Sequence, residues 1–568
     1  MNEPTDTAHV DTFARDHLPP ASAQPENRFE LAELRLPARL NCADELLDRH
    51  VREGRGGRAC VSAPGGPAWT YAELQRQADR IAHVLVAECG LVPGNRVLLR
   101  SANKPMLVAC WFAVMKAGGI AVATMPMLRA KELVQIVEKA EVTIALCDTA
   151  LRAELDLAAA QAPRLACVLC FGGDGADGAA AAAAATAGRL DHARRSDGSR
   201  APLEASMAKH DAPFANVDTA ADDTCILAFT SGTTGQPKAT MHFHRDVIAS
   251  CLCFPPHVLK AEPDDVFIGS PPLAFTFGLG GLTLFPMHIG ASTVLLEKAG
   301  PPDLLEAIVA QRATVCFTAP TSYRAMAAGA KERKVGVRDG GRLRKCVAAG
   351  EALPAATRAL WKEATGVEVI DGIGATEMFH IFISADEAHA RPGATGVAVP
   401  GYRARVVDDN GDDVPAGVIG RLAVQGPTGC RYLSDPRQAD YVKGGWNYTG
   451  DAYLMDADGY FFYQSRTDDM IISAGYNIAA VEVEDVLLRH AAVAECAVIG
   501  HPDEERGQIV KAFVVLRSTH VGDEAMVKVL QDYVKATVAP YKYPRAVEFR
   551  EVLPRTETGK LQRFRLRA

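Results

Sequence analysis

The chain has 568 residues, of which 48% are hydrophobic and 23% charged, a composition suited to a globular protein too long for one core. Its formal net charge is −8 with no long basic run, which argues against nucleic acid or an anionic membrane as the main partner. The most apolar stretch, Met106–Met115, is about half the roughly 20 residues that a membrane-spanning helix needs, so it reads as a buried helix, and no membrane span is expected.

Residues 1–27 are polar, contain proline and show no periodicity, and are expected to form a disordered leader. They carry no apolar signal core. From Phe29 onward, strand-like runs alternate with helical patterns. The strand runs are Arg96–Arg100, Val142–Cys147, Ala166–Phe171, Cys225–Phe229 and Thr293–Leu296; helical patterns include Tyr71–Ala87 and Pro302–Gln311. That alternation predicts an α/β protein with layered, mostly parallel sheets. Residues 172–188, a Gly/Asp stretch followed by an alanine run, read as a surface insertion without chemistry. The 14 cysteines are scattered, and Cys167 and Cys170 would point to opposite faces of a strand. Reduced, mostly buried thiols in a cytoplasmic protein are expected. His242 and His244 read as structural residues near a loop, for want of a third metal ligand at a convincing spacing.

A domain boundary is expected at residues 466/467. Beyond it, Met470–Ser473, Cys496–Ile499 and Lys511–Leu516 read as strands, and Val481–Arg489 and Glu524–Lys535 as helices. The expected division is therefore a leader (1–27), a large N-terminal α/β domain (28–466) and a small mobile α+β C-terminal domain (467–568).

The string with the most chemistry is Thr230–Lys238, TSGTTGQPK, directly after an apolar strand. Glycines let backbone N–H groups approach phosphate oxygens, hydroxyls add donors, and lysine adds charge. It is not a Walker loop, because Pro237 precedes the lysine and Ala239 follows it. The string resembles the signature loop of the AMP-forming adenylating enzymes, which include acyl- and aryl-CoA synthetases, luciferases and peptide-synthetase adenylation domains. The resemblance runs in order from about Leu46 to the end of the chain.

The resemblance implies ATP, Mg²⁺ and coenzyme A as partners, and assigns residues to them. Thr230, Ser231, Gly232, Thr233, Thr234, Gly235 and Lys238 would cradle phosphates. In GIGATE, Thr376 would bond the α-phosphate and Glu377 would hold Mg²⁺, with Asp371 and Gly372 just upstream. Ile373 stands where relatives often place an aromatic residue against adenine. Gly350 and Glu351, in AGEALP, match an adenine-binding turn, although Glu351 could equally cap the following helix. Asp451, in YTGD, and Arg466 match ribose- and phosphate-contacting positions. Asp468 matches an interdomain hinge, Gly475 and Tyr476 a loop bordering the CoA arm, and Lys560, in PRTETGK, the catalytic lysine.

The acid pocket is expected from Phe275, Thr276, Phe277, Gly374, His380 and Ile381, since an aromatic wall beside glycine suits a flat ring. Taken alone, His380 is more simply a core histidine. The string DGIGATEMFHIFIS is similar to benzoate-type CoA ligases, whereas ISAGYNIAAVEVE and APYKYPRAVEF resemble medium-chain acyl-CoA synthetases and 2-aminobenzoate–CoA ligases. The implied activity is an AMP-forming aryl acid–CoA ligase acting on benzoate or 2-aminobenzoate. A medium-chain fatty acyl-CoA synthetase and a stand-alone adenylation enzyme with another thiol acceptor are the alternatives. Lys542, Tyr543 and Arg545 could meet CoA phosphates or form a solvated loop, and a homodimer is left open.

Overall fold

A computed structural model describes residues 6–172, 202–231, 237–337, 340–466, 470–473, 476–503, 506–538, 540–555 and 561–567. The fold is mixed α/β with mainly parallel large sheets. It divides into two compact units. The first comprises 1–317, 375–380 and 426–445; the second comprises 318–374, 381–425 and 446–568.

In the first unit, β1 (Ala59–Ser62) and β2 (Ala68–Thr70) form a hairpin that runs into the helix Tyr71–Ala87. Thr70 caps that helix: its hydroxyl accepts from the Glu73 amide, and the Glu73 carboxylate accepts from the Thr70 amide at 2.8 Å. This reciprocal bonding fixes the helix start at the residue expected from sequence. β3 (Arg96–Arg100) is buried along its whole length, as befits a strand covered on both faces. The helix Pro105–Lys116 follows and is apolar nearly all round. Its closing lysine is buried with it and is neutralised by Asp48 and Asp79, the latter at 3.0 Å. Then come β4 (Ile120–Thr124), β5 (Ile144–Asp148), β6 (Cys167–Phe171), β7 (Thr224–Ser231) and β8 (Pro237–Phe243). Their spatial order is β6–β5–β3–β4–β7–β8, parallel except for the last pair. β9 (Val266–Gly269), β10 (Ser292–Val294) and β11 (Val315–Thr318) join β1 and β2 in a second sheet, where β11, β9, β10 and β1 are parallel.

The expectation of a disordered leader is corrected for the residues described. Ala14 is fully buried in the core of the first sheet. Asp11 accepts from Asn95 at 2.8 Å and pairs with Arg96, and Asp223 receives the Thr7 hydroxyl and the Ala8 amide. A Cβ on Gly94 would sit 2.1 Å from the Asp11 carbonyl, and Gly94 has φ +92°, so that close approach requires glycine. The polar composition misled because these side chains bond to the domain rather than to water. Residues 1–5 lie outside the described residues, as does nearly all of the expected 172–188 insertion.

In the second unit, the strands Val493–Asp503 and Gly507–Leu516 form a long hairpin that Ala546–Phe549 joins in parallel. The helices Ala480–Arg489 and Glu524–Thr537 supply Val483, Leu487, Leu530 and Val534 to its buried core. Asp523 starts the second helix by accepting from the Met526 amide at 2.9 Å. No helix among the described residues is long and apolar enough to cross a membrane.

Candidate functional site

β7 and β8 pair antiparallel up to Thr230 opposite Lys238 and Ser231 opposite Pro237. The connection at 232–236, with Gly232, Thr233, Thr234 and Gly235, lies outside the described residues. Ser231 is described in its backbone only. The Thr230 hydroxyl is buried and has no hydrogen-bond partner among the described residues.

Lys238 leaves the hairpin toward two groups. Its Nζ is 2.8 Å from the Tyr432 hydroxyl and 3.4 Å from Glu377 Oε1, and it lies over the Tyr432 ring. The Tyr432 hydroxyl donates to the same Glu377 oxygen at 2.5 Å. Burial, and then the Glu377 charge, raise the Tyr432 pKa, which keeps the phenol protonated as a donor. Both contacts fall on Oε1. No protein hydrogen bond to the other carboxylate oxygen is found among the described residues, which leaves a hard oxygen donor suited to Mg²⁺. Tyr432 reaches this position because residues 431–433 run beside β8: the Met241 amide donates to Arg431 and the Leu433 amide to Ala239. Below it, Arg431 pairs with Asp246 at 3.4 Å, both fully buried.

Thr376 and Glu377 begin a short 3-10 turn, Thr376–Met378. The Thr376 carbonyl is held from beneath by His242, whose Nε2–H donates to it at 2.8 Å. Burial pulls the His242 pKa down to about 4, so the ring is neutral near pH 7. The next residue, Phe379, has φ +71° and ψ −54°. The His380 amide bonds the Met378 carbonyl at 3.0 Å across it. That is a γ-turn of the rare positive-φ kind, and a bulky side chain there stores strain of about 1–3 kcal/mol. It is held by the full burial of Phe379 against the His242 ring and by the Thr428 hydroxyl, which donates to the Met378 carbonyl at 2.7 Å.

The turn points His380 into an aromatic cage. Ring centroids of Phe285, Phe277, Phe254 and Phe317 lie 4.4, 5.6, 5.9 and 6.5 Å from the imidazole. Nε2 lies 3.4 Å from the Phe277 carbonyl, and Nδ1 is buried without a hydrogen-bond partner among the described residues. Burial lowers the His380 pKa to about 3, so the imidazole is neutral. Gly280 and Gly281 make room for this packing. A Cβ would fall 2.4 Å from His380 Cδ2 at the first and 2.5 Å from the Phe317 ring at the second. Phe275 precedes the short helix Thr276–Leu279; Phe275 and Phe277 are half-buried and Thr276 is buried.

The second unit holds the remaining expected residues. Asp371 is buried, accepts from the Gly372 amide at 3.0 Å, and has a pKa pushed up to about 7 by burial, against the pull of Arg358. Its own carbonyl accepts from Ser384 at 2.5 Å. Ile381 pairs with Gly374 and packs against Gly372. Gly350 takes φ +92°, a conformation that suits glycine, and the Glu351 carboxylate lies 3.4 Å from Arg555. Asp451 and Arg466 pair at 3.1 Å, and Arg466 also donates to the Thr449 carbonyl. Lys542 is paired with Glu482 at 2.6 Å, and Arg545 lies over the Tyr543 ring, so this segment carries a neutralised lysine rather than a bare cationic patch. Tyr476 is described in its backbone only; Asp468, Gly475 and Lys560 lie outside the described residues.

Thus Lys238, Thr376 and Glu377 lie in one unit, together with His380 and Phe277. Sequence reading missed Tyr432 and assigned His242 no partner.

Two family models match the chain. The AMP-binding enzyme model covers residues 47–432, and its C-terminal domain model covers 482–560. The chain is 33% identical to the benzoate–CoA ligase of Thauera aromatica over 539 residues, covering 94% of this chain and 97% of that protein. Among solved structures, it resembles an anthranilate CoA ligase in complex with anthranoyl-AMP. The TM-score is 0.84 at 32% identity, over 94% of this chain and 98% of that one. It also resembles a benzoate CoA ligase from Burkholderia xenovorans LB400, with a TM-score of 0.81 at 29% identity, over 93% and 100%. With a family model spanning well over half its residues and relatives matched along nearly their full length, the chain belongs to the AMP-binding enzyme family.

Proposed function

We propose that this protein is an ATP-dependent, AMP-forming ligase that joins an aromatic acid, benzoate or 2-aminobenzoate, to the thiol of coenzyme A. The observation that carries this reading is the neutral imidazole of His380 inside four phenylalanine rings, three residues after Glu377. A flat apolar ring suits such walls, and the one unpaired nitrogen offers a partner for an ortho amino or hydroxyl group. Relatives of matching length that act on benzoate and anthranilate support the same class.

In the first half-reaction, an oxygen of the substrate carboxylate attacks the α-phosphorus of ATP. The bond to pyrophosphate breaks and an acyl-adenylate forms. Charge grows on the phosphate oxygens in that step. Lys238, Thr376 and the hydroxyls of the 230–235 loop are the donors we assign to it, with Lys560 aligning the incoming carboxylate. Glu377 is the residue we assign to hold Mg²⁺, whose positive charge would offset the negative charge growing on the phosphates. Asp371, Gly372, Gly350, Glu351, Asp451 and Arg466 are assigned to the nucleoside. In the second half-reaction, the CoA sulfur attacks the acyl carbon, the bond to AMP breaks, and the thioester forms. We assign Asp468 as the pivot and Gly475 and Tyr476 as the border of the thiol route, with a division after residue 466. The self-contained core formed by residues between Ile471 and Val534 supports that division. We place the enzyme in the cytoplasm, where ATP and CoA are available.

The test is pyrophosphate release with benzoate, 2-aminobenzoate, 2-hydroxybenzoate, hexanoate and octanoate, with and without CoA. Ring acids are expected to lead. Octanoate ahead of every ring acid overturns the pocket, and release unaffected by CoA points to another acceptor. Lys560→Ala is expected to abolish pyrophosphate release yet still convert supplied acyl-adenylate to thioester.

A further inference from the structure

The base of the β7–β8 hairpin, opposite its phosphate-loop end, holds a cluster that the ligase chemistry does not use. Cys225 stands at the start of β7, and His244 directly follows β8. Cys42 enters from a segment 202 residues before His244. One ligating atom from each of the three lies within 4.8 Å of the other two, and all three residues are buried. The convergence is not the by-product of a local turn, because three separate segments supply it.

The state of the imidazole can be read from its partners. The Cys42 amide donates to His244 Nδ1 at 3.2 Å, and Cys42 Sγ lies 3.2 Å from the same nitrogen. Nδ1 is therefore unprotonated, and its lone pair accepts from the Cys42 amide, a bond that a bound cation would displace. The ring proton sits on Nε2, which is buried without a hydrogen-bond partner among the described residues. Two thiols and an imidazole lone pair, closed off from water, form a donor set with a strong preference among ions. Thiolates select soft, thiophilic metals, and imidazole is compatible with them.

We infer that Cys42, Cys225 and His244 form a binding site for a thiophilic d¹⁰ cation, Zn²⁺ or Cu⁺, that ties the base of the phosphate-loop hairpin to the segment before the first sheet. Loss of the two thiol protons on binding gives two thiolates, which neutralise Zn²⁺. Cu⁺ is satisfied by three soft donors, whereas Zn²⁺ would add one exogenous ligand to reach four. From sequence, His242 and His244 lacked a third ligand. The ligands here are cysteines, and His242 is taken up by Thr376.

The experiment begins with full-length protein purified under reducing conditions without chelator, with Zn and Cu measured per chain by elemental analysis. One ion per chain is expected, and its identity separates the two metals. Cys42→Ser and Cys225→Ser are each expected to lose it, while Cys89→Ser, at a thiol outside the cluster, retains it. Because a serine variant could fail to fold, wild-type protein is also stripped and loaded with Co²⁺. A thiolate-to-cobalt charge-transfer absorption is expected at one ion per chain. Trace metal that the variants retain equally, or Co²⁺ bound without that absorption, overturns the proposal.

Discussion

The two sides of one strained residue, Phe379, offer opposite environments. Before Phe379, Glu377 shares its Oε1 between a lysine and a phenol, in a cluster built to balance charge. After it, His380 sits uncharged among phenyl rings. Between them the chain needs only the γ-turn at Phe379. A regular helix would carry Glu377 and His380, three residues apart, on one face. The turn's strain lets adjacent residues serve two environments, one for phosphate and one for a ring, and full burial of Phe379 holds it there.

The largest break in this comparison is expected from Glu377→Gln. The shape is kept, but Lys238 and Tyr432 lose a charged acceptor and the oxygen assigned to Mg²⁺ loses its charge. Pyrophosphate release should fall by roughly 10²–10³, the scale of removing one electrostatic contact from such a site. The KM for benzoate should be unchanged if the two sides are separate. An equal rise in that KM would show that they are one.

Next in size is the support beneath the turn. His242→Leu leaves the Thr376 carbonyl without its donor, which costs about 1–3 kcal/mol where a buried acceptor goes unpaired. If that cost appears at the transition state, kcat for pyrophosphate release drops by roughly 5- to 160-fold, with little change in the KM for the acid. His242→Gln keeps a donor and should recover most of the rate. Failure of the glutamine to rescue would assign His242 to packing alone.

How much of this was legible in the sequence follows from how local each feature is. The helix Tyr71–Ala87 could be read to both ends because its start signal, Thr70 with Glu73, lies within four residues. The strand Arg96–Arg100 and the hairpin flanking 232–236 announce themselves by apolar runs beside a glycine-rich string. Tyr432 could not be read, since its contact with Lys238 spans 194 positions and its segment carries no motif. Phe379 was illegible for the opposite reason: a phenylalanine is a poor signal for positive φ, and only tertiary burial puts it there. The leader failed because composition reports average solvation, whereas Asp11 and Asp223 are each bound to particular partners. The pair Gly280–Gly281 was visible but carries no hint of which rings would fill the space.

On the ring side, His380→Leu keeps the volume and removes the unpaired nitrogen. Benzoate asks nothing of that nitrogen, whereas 2-aminobenzoate would lose a buried hydrogen bond. The ratio of kcat/KM for benzoate over 2-aminobenzoate should rise about tenfold, the scale of one hydrogen bond in a closed pocket. An unchanged ratio would remove His380 from the acid site and return it to the core.

The smallest effect at neutral pH, and the one that treats both sides alike, is on stability. His242 and His380 are both neutral through burial, with pKa values lowered from 6.5 to about 4 and about 3. Between pH 6.5 and those values, the unfolded chain binds protons that the native state refuses. Unfolding free energy therefore falls as the pH falls through that window, by at most about 1.4 kcal/mol per pH unit for each histidine. Asp371 works in the opposite sense: its pKa is raised from 3.8 to about 7. Within that window the native state holds a proton that the unfolded chain has given up, so the Asp371 contribution is lost as the pH rises from 3.8 through 7. Urea midpoints measured from pH 7 to pH 4 should decline for the wild type and decline less steeply for His380→Leu. The slope should not vanish, because His50 and His288 are depressed to about 4 in the same way. Asp371→Asn should instead remove that opposing slope and steepen the decline between pH 7 and pH 4. A His380→Leu profile parallel to the wild type would mean that its imidazole meets water, and the contrast across Phe379 would fail on the ring side.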